Sequence, residues 1–289
     1  MKKIINNSVI KCGFLTLLVF ALGIGNARAI VREFENYNGI IISNEEYKTL
    51  LNLGFSDDEI YYMDEDTYEA NKDLDAELLS RVVHYYKVVT NNFTGRSVTY
   101  ELTEQEMLKQ TSGNANAPKG SVTTTYKTMI STISSNGSGY RYKNSVSWNI
   151  MPSVKSFDII GIGINNVGGQ YISSSVSFNY YYCVSSGNCT TSTTYYDKKK
   201  TSSGGSAVYK LPSSPVVLSA NIYFDVAKYS GAGTLYSTGM CGDYAHATTS
   251  VAQNYVSNHS ISYSGIGLGT GLSGNYDAIP CAYSYVGTW

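Results

Sequence analysis

The densest group of polar and reactive side chains in this sequence is Cys241-Gly242-Asp243-Tyr244-Ala245-His246. A carboxylate and an imidazole three residues apart can share a metal ion or form half of an acid–base pair. Two ligands do not complete a metal site, and the neighbouring sequence supplies no third. We therefore expect Asp243 and His246 to bond local backbone groups at a strand end, and we retain both as candidate binding residues. No catalytic residue, metal site or cofactor is predicted.

A second motif, at 265–271, alternates glycine with Ile, Leu and Thr and superficially resembles a dinucleotide-binding fingerprint. It leads into more Gly and Ser rather than into a helix, so it predicts close backbone packing or a turn-rich strand. The sequence also lacks a Gly-x-Ser-x-Gly elbow, a His-Glu-x-x-His motif and a phosphate-binding loop. This pattern favours a binding protein over an enzyme.

Tyrosine is unusually frequent, with 27 residues. An exposed tyrosine offers a flat apolar face and a hydroxyl group, which suit contacts with sugars or protein surfaces. Most of these rings must fill the core or pair across strands. Those on or near polar faces are the candidates for a contact surface, namely Tyr181, Tyr195, Tyr196 and Tyr223.

The cysteines that follow the first 29 residues suit two disulfides in an oxidising compartment. They are Cys183, Cys189, Cys241 and Cys281, and three pairings are possible. The Ser-Ser-Gly-Asn turn between Cys183 and Cys189 predicts a bridge across a hairpin tip. Cys241 would then pair with Cys281. Zinc sites usually contain close Cys-x-x-Cys pairs, which this sequence lacks.

The N-terminus has the three parts of a secretory signal peptide, predicted at 1–29. Lys2 and Lys3 precede an apolar run over 13–25, and Ala27-Arg28-Ala29 offers a small-residue cleavage site. The apolar run has about 13 residues, whereas a membrane-spanning helix needs about 20. We predict cleavage after Ala29 and a secreted, extracellular product with no transmembrane segment.

An acidic segment opens the remaining chain. Residues 30–80 carry 14 acidic and 3 basic side chains, a balance of −11, whereas 81–289 have a balance of +6. Capping-box spacings at 43–46 and 56–59 predict short helices in the acidic segment. The charge asymmetry indicates either two units that attract each other or an acidic helical face in water.

Residues 82–89 and 96–102 flank a turn rich in Asn, Thr and Gly, and they predict a β-hairpin. We therefore define 30–109 as an acidic helical unit plus a β-hairpin. Residues 110–121 are rich in Gly, Asn, Ala and Ser and predict a linker. Residues 122–289 form the remaining domain.

Apolar and polar side chains alternate with a period of two from residue 122 onward, clearly so at 140–150, 172–182 and 218–226. Each run predicts a strand with one buried face and one face in water. Gly, Ser and Asn clusters separate the runs. The predicted fold class is therefore mainly β, with an antiparallel β-sandwich (or barrel-like) domain after the helical unit and hairpin.

Three segments together resemble a group of exported proteins of low-GC Gram-positive bacteria that carries no known activity. They are 44–71, Gly242-Asp243-Tyr244-Ala245-His246-Ala247-Thr248, and Tyr276-Asp277-Ala278-Ile279 before Gly287-Thr288-Trp289. The resemblance covers most of the mature chain. It implies a bacterial origin and a shared architecture, and it assigns a function to no residue.

Three functional classes remain open. The leading hypothesis is an exported, non-enzymatic binding or adhesion protein that recognises a cell-surface glycan or protein. The alternative is a secreted β-pore-forming or toxin-like protein, because 121–135 is rich in Ser and Thr with interspersed apolar residues. A metal-dependent hydrolase that uses Asp243 and His246 is the third.

Two further expectations concern partners and processing. The basic residues are scattered, so no nucleic-acid partner is predicted. The acidic unit is also a candidate inhibitory or folding segment that is removed at 110–121.

Overall fold

The computed structural model of the chain describes residues 33–112, 121–137, 139–165, 169–185, 187–234, 237–277 and 279–287. The signal peptide predicted at 1–29 and residues 113–120 of the predicted linker lie outside these ranges. Within them, no helix has both the length and the apolar character needed to cross a membrane.

The first described segment, 33–77, is called the helical unit below. Each of its short helices begins at a side-chain cap, and Ser43 and Ser56 complete the two predicted capping boxes. Gly54 follows the first helix with a φ of +87°, a left-handed conformation that suits glycine. The elements are β1 (Phe34–Glu35), β2 (Ile41–Ile42), α1 (Asn44–Asn52), α2 (Asp57–Tyr61) and α3 (Glu65–Glu69).

The rest of the chain is mainly β, as the alternation predicts. Its elements are β3 (Leu78–Asn91), β4 (Ser97–Leu102), α4 (Glu104–Thr111), β5 (Val122–Asn136), β6 (Gly139–Ile150), β7 (Phe157–Ile164), β8 (Gln170–Ile172), β9 (Ser177–Ser185), β10 (Asn188–Ser192), β11 (Asp197–Thr201), β12 (Gly204–Lys210), β13 (Val217–Lys228), β14 (Thr238–Ala245), α5 (Gln253–Val256), β15 (Ser260–Ser262), β16 (Gly265–Gly267), the 3₁₀ turn Ser273–Asn275 and β17 (Ala282–Val286).

Two antiparallel sheets pack face to face and form a β-sandwich. The large sheet has the strand order β10-β9-β13-β6-β5-β3-β4, with β8 beside β13, and the small sheet has the order β11-β12-β7-β14-β17. The core between them contains Trp148 and Phe224 from the large sheet and Ile162 and Tyr244 from the small one. The predicted fold class is therefore confirmed.

The predicted hairpin is formed by β3 and β4, and β3 also pairs with β5 along most of its length. The hairpin thus belongs to the same large sheet as the strands after residue 121. The predicted linker overlaps α4, which reaches Thr111.

The outer face of the large sheet corrects one expectation. On β6 and β13 the apolar positions face the core as predicted, but most of the alternating polar positions do not face water, whereas Asn149 at the end of β6 does. The helical unit covers them and buries Arg141, Lys143 and Asn221. Alternation identifies which face is polar, whereas the element that covers that face comes from a distant part of the chain.

A buried ion pair and a hydrogen bond hold the helical unit on this face. Lys143 Nζ donates to both carboxylate oxygens of Glu59, at 2.8 and 2.7 Å. Arg141 pairs with Asp225 at 2.8 Å and also donates to Asn71 of the helical unit. Of these contacts, the Lys143–Glu59 pair joins an acidic side chain of the helical unit to a basic side chain of the sheet.

Candidate functional site

Asp243 lies in β14, between β7 and β17, and its side chain is almost fully buried. Each of its carboxylate oxygens accepts one backbone hydrogen bond, from Tyr244 N and from Ile266 N, both at 2.7 Å. Burial raises the pKa of the Asp243 carboxyl from 3.8 to about 6, and the two backbone hydrogen bonds limit that rise. Asp243 therefore bonds backbone groups, as the sequence indicates.

The close approach of the β15–β16 ribbon to Asp243 depends on Gly265. This residue has a φ of +97°, and a Cβ there would lie 2.3 Å from Asp243 Oδ2 and 2.7 Å from Cys281 Sγ. A larger residue would push the ribbon away from the carboxylate. The glycine-rich motif at 265–271 thus provides the close backbone packing that was predicted.

His246, just after β14, pairs with a carboxylate that sequence reasoning missed. Its Nδ1 lies 3.0 Å from both carboxylate oxygens of Asp158 in β7. Asp158 also accepts hydrogen bonds from the Tyr244 hydroxyl and from Ala247 N. The expectation that the His246 ring bonds the local backbone is therefore wrong, and Asp243 and His246 have separate partners.

A second buried pair joins the large sheet to the segment before β17. Lys127 Nζ of β5 donates to Asp277, and neither side chain is exposed. Asp277 also accepts a hydrogen bond from His246 N at 2.9 Å, and the Lys127 ammonium lies 4.6 Å from the Trp148 ring. Lys127 thereby neutralises Asp277 within the protein.

One sequence signal pointed to part of this network. Asp158 interrupts the otherwise apolar strand 157–164, and a carboxylate at such a position needs a buried partner. Lys127 has no comparable signal, because it lies among Thr and Tyr residues in a Ser/Thr-rich strand. Its pairing with Asp277 spans 150 residues.

A cavity of about 410 Å³ opens beside Asp243, and we call it the Asp243 cavity. Its polar lining includes Asp243 and Asp277, of which the Asp277 side chain is fully buried in its pair with Lys127, and its aromatic lining includes Tyr276 and Tyr283. The Cys241–Cys281 disulfide ties β14 to the segment before β17, which also lines the cavity. The other predicted bridge, Cys183–Cys189, joins β9 to β10 across the hairpin.

Tyrosine rings continue outward from the mouth of this cavity. Tyr283 and Tyr285 project from β17 as exposed rings with centroids 6.3 Å apart. Tyr263 packs against Tyr283 at 5.3 Å. The cavity therefore adjoins an aromatic surface.

A second concave site lies between the helical unit and the large sheet, and we call it the Tyr195 groove. It has a volume of about 340 Å³, and Asp66 of α3, Asn179 of β9 and Lys198 of β11 line it beside Tyr195. The Lys198 ammonium lies 4.6 Å from the Tyr195 ring. Asp66 and Lys198 are both exposed, so the groove carries one charge of each sign near its surface.

The four tyrosines that the sequence offers as a contact surface fall into an exposed pair and a buried pair in the structure. Tyr195 and Tyr196 are exposed, at 45% and 44%. Tyr181 and Tyr223 retain only 5% and 6% exposure, because the helical unit packs on them. The expectation of a shared exposed surface is therefore wrong for Tyr181 and Tyr223.

The two covered rings make specific contacts. Tyr62 stacks on Tyr181 with centroids 4.6 Å apart, and Phe55 meets Tyr223 edge-on at 5.6 Å. Tyr223 still contributes to the floor of the Tyr195 groove. Tyr196 lies outside that lining and packs edge-on against Phe157 at 4.8 Å.

Asn179 also connects the groove to a smaller neighbouring pocket. Asn179 lines both spaces and accepts a hydrogen bond from Asn221 at 2.6 Å. Asn221 Oδ1 is buried and has no hydrogen-bond partner within the described residues. The floor of the groove is thus polar as well as aromatic.

Comparison with known proteins does not assign the chain to a family. A scan against protein-family models and a search of curated proteins found no match for the chain. In the described ranges, His, Cys, Asp and Glu side chains form no group of three or more that could hold a metal ion.

Proposed function

We propose that this chain is an exported binding protein that attaches to a cell-surface glycan through the Tyr195 groove. The observation that carries the proposal is the exposed Tyr195 ring beside Asp66, Lys198 and Asn179 in one groove. An aromatic face packs against the C–H face of a sugar ring, while carboxylate, ammonium and amide groups bond its hydroxyls.

The charge and size of the groove support a neutral sugar. Asp66 and Lys198 carry opposite charges, so a ligand without net charge leaves neither sign in excess. The volume of about 340 Å³ falls within the range of small-ligand sites, roughly 300–1,000 Å³. The groove also combines α3 with the large sheet, which gives the helical unit a direct role in binding.

Export is the second part of the proposal. We infer that the predicted segment 1–29 directs secretion and is cleaved after Ala29. The two disulfides are compatible with an oxidising, extracellular environment. Mass spectrometry of protein from the culture medium tests this part, with a chain that begins at Ile30 as the expected result.

A glycan array with the purified chain tests the binding proposal, followed by affinity measurements on the best glycan. Tyr195→Ala should weaken binding at least tenfold, because it removes the stacking surface. Tyr196→Ala is the matched control, since the neighbouring ring is equally exposed but lies outside the groove lining. Equal losses in the two variants, or the absence of any glycan ligand, would contradict the proposal.

The pore-forming alternative predicts a different result. The stretch 121–135 corresponds largely to β5, which is hydrogen-bonded to β3 on one side and to β6 on the other. Membrane insertion by this stretch would require it to leave both neighbours. Dye leakage from liposomes would favour that alternative, and intact liposomes are expected under the binding proposal.

A further inference from the structure

The charge of the Asp243 cavity differs from that of the Tyr195 groove. Asp243 and Asp277 line the cavity, and its lining contains no Lys, Arg or His among the described residues. Lys127 neutralises Asp277 from behind, whereas Asp243 accepts only backbone N–H groups and makes no ion pair within the described part of the chain. Among the described residues, Asp277 thus has a cationic partner, whereas the ionised carboxylate of Asp243 has none.

The remaining walls are apolar and aromatic. Ile266, Leu268 and Ile279 contribute aliphatic surface, and Tyr276 and Tyr283 contribute rings. Aliphatic walls favour a hydrocarbon chain, and aromatic faces attract a cation. A neutral sugar would leave the Asp243 charge without a counterion.

We propose that the Asp243 cavity binds a primary ammonium group on an aliphatic chain, as presented by a lysine side chain on a partner protein. The ammonium group donates to Asp243, whose oxygens each accept one backbone hydrogen bond and retain further acceptor capacity. The methylene chain packs between the aliphatic walls. This site is separate from the glycan groove and does not depend on it.

The pH dependence of binding follows from the ionisation of Asp243. Asp277 raises the pKa of this carboxyl, and Lys127 and the two backbone N–H groups lower it, but burial dominates and places it at about 6. Binding of an ammonium requires the ionised form. Affinity should therefore fall as the pH decreases from 7.5 to 5.

The test is a calorimetric or NMR titration of the purified chain with N-acetyl-lysine N-methylamide. We expect saturable binding at pH 7.5 that is at least fivefold weaker at pH 5. The neutral norleucine analogue, which keeps the aliphatic chain without the ammonium, should bind at least tenfold more weakly. Glucosamine supplies an ammonium on a polar ring and should also bind at least tenfold more weakly than the lysine derivative.

Two variants locate the site. Asp243→Asn should reduce lysine-amide affinity at least tenfold, whereas Asp66→Asn, which alters the groove, should leave it unchanged. Because Asp243→Asn can also disturb folding, Ser273→Trp at an exposed position of the cavity lining is a second variant that blocks entry without changing the charge. Absence of lysine-amide binding to the unmodified chain, equal binding of the norleucine analogue, or full affinity in both cavity variants would overturn the proposal.

Discussion

The Tyr195 groove and the Asp243 cavity have similar volumes, about 340 and 410 Å³, but they differ in how their charges are balanced. In the groove, Asp66 and Lys198 are exposed and opposite in sign. In the cavity, Asp243 is buried and its backbone donors carry no full charge. The comparison teaches that the balance of charge, more than the size of the space, decides which ligand class each site suits.

The two sites also depend on different parts of the fold. The groove needs α3, which the buried pair Lys143–Glu59 helps to hold on the large sheet. The cavity is built within the β-body by β14, the β15–β16 ribbon and the segment before β17. Perturbations of one set of contacts should therefore separate the two activities.

The largest expected effect comes from Lys143→Met. Removal of this ammonium leaves the Glu59 carboxylate buried without its cation, which should lower the free energy of unfolding by about 3–5 kcal/mol. Urea denaturation measures the loss. Glycan affinity should fall, because α3 detaches, while lysine-amide binding persists in the molecules that stay folded.

The double variant Glu59→Met with Lys143→Met is the control for that prediction. Replacement of a buried ion pair by apolar side chains of similar size is often neutral, so stability should largely return. A double variant as unstable as the single one would mean that the pair is not what holds the helical unit.

A comparable effect is expected from the disulfide at the cavity. The Cys241–Cys281 bridge closes a sequence separation of 40, and replacement of both cysteines by serine should cost about 4 kcal/mol by loop-closure entropy. The same change at Cys183 and Cys189, with a separation of 6, should cost about 2 kcal/mol. Thermal or urea unfolding of both variants distinguishes these values.

Ligand binding should distinguish the two sites in the variant that lacks the Cys241–Cys281 bridge. Loss of Cys241–Cys281 loosens the cavity wall and should weaken lysine-amide binding more than glycan binding. An equal loss at both sites would contradict the view that the cavity and the groove are built independently.

The buried carboxyl of Asp243 should give the third effect, a pH-dependent stability. An unfolded Asp releases its proton near pH 3.8, whereas folded Asp243 does so near pH 6. Between these values the folded state holds the extra proton, so the contribution of Asp243 to the free energy of unfolding falls as the pH rises from about 4 to 6. The total change is about 3 kcal/mol.

Comparison with Asp243→Asn isolates that contribution, because asparagine does not titrate. Relative to this variant, the unmodified chain should be more stable at pH 4 than at pH 7 by about 2 kcal/mol, because an unfolded Asp is still partly ionised at pH 4, and urea denaturation measures the difference. A stability difference that is constant across this pH range would contradict a raised pKa of Asp243 in the folded state. Asp66→Asn, which changes an exposed carboxylate of the groove, provides the control.

The smallest effect is expected from Lys198→Gln. This change leaves Asp66 without the opposite charge in the groove and makes the groove resemble the cavity electrostatically. Because both groups are exposed, glycan affinity should fall only about threefold, within the range of roughly 0.2–1 kcal/mol for exposed charges. Calorimetric titration of both proteins with the same neutral glycan measures the difference.

Several local features could be predicted from the sequence alone. Capping pairs such as Ser43 with Glu46 mark helix starts, because they satisfy backbone N–H groups within one turn. The turn between Cys183 and Cys189 predicts the hairpin bridge. This feature is also local, because the two cysteines lie six residues apart. The inner faces of β6 and β13 follow from period-two alternation.

The candidate sites could be predicted only in part. The sequence identifies Asp243, Tyr195 and Tyr223 as candidate site residues. Tyr223, however, is a buried ring at the floor of the Tyr195 groove and not an exposed one. Asp66 and Asn179 carried no signal of their own, because their role depends on α3 lying beside β9. Sequence reasoning therefore found single residues without the groove that joins them.

The sequence by itself determined the mainly antiparallel β-body, the short capped helices and the two cysteine pairs, because each rests on local periodicity, turn chemistry or the number of cysteines. Only the tertiary structure decided that the helical unit covers a polar sheet face, with Lys143 meeting Glu59 across 84 residues. It likewise decided that His246 meets Asp158 across 88 residues. Such contacts depend on chain topology, which brings distant charges together in a way that no local pattern encodes.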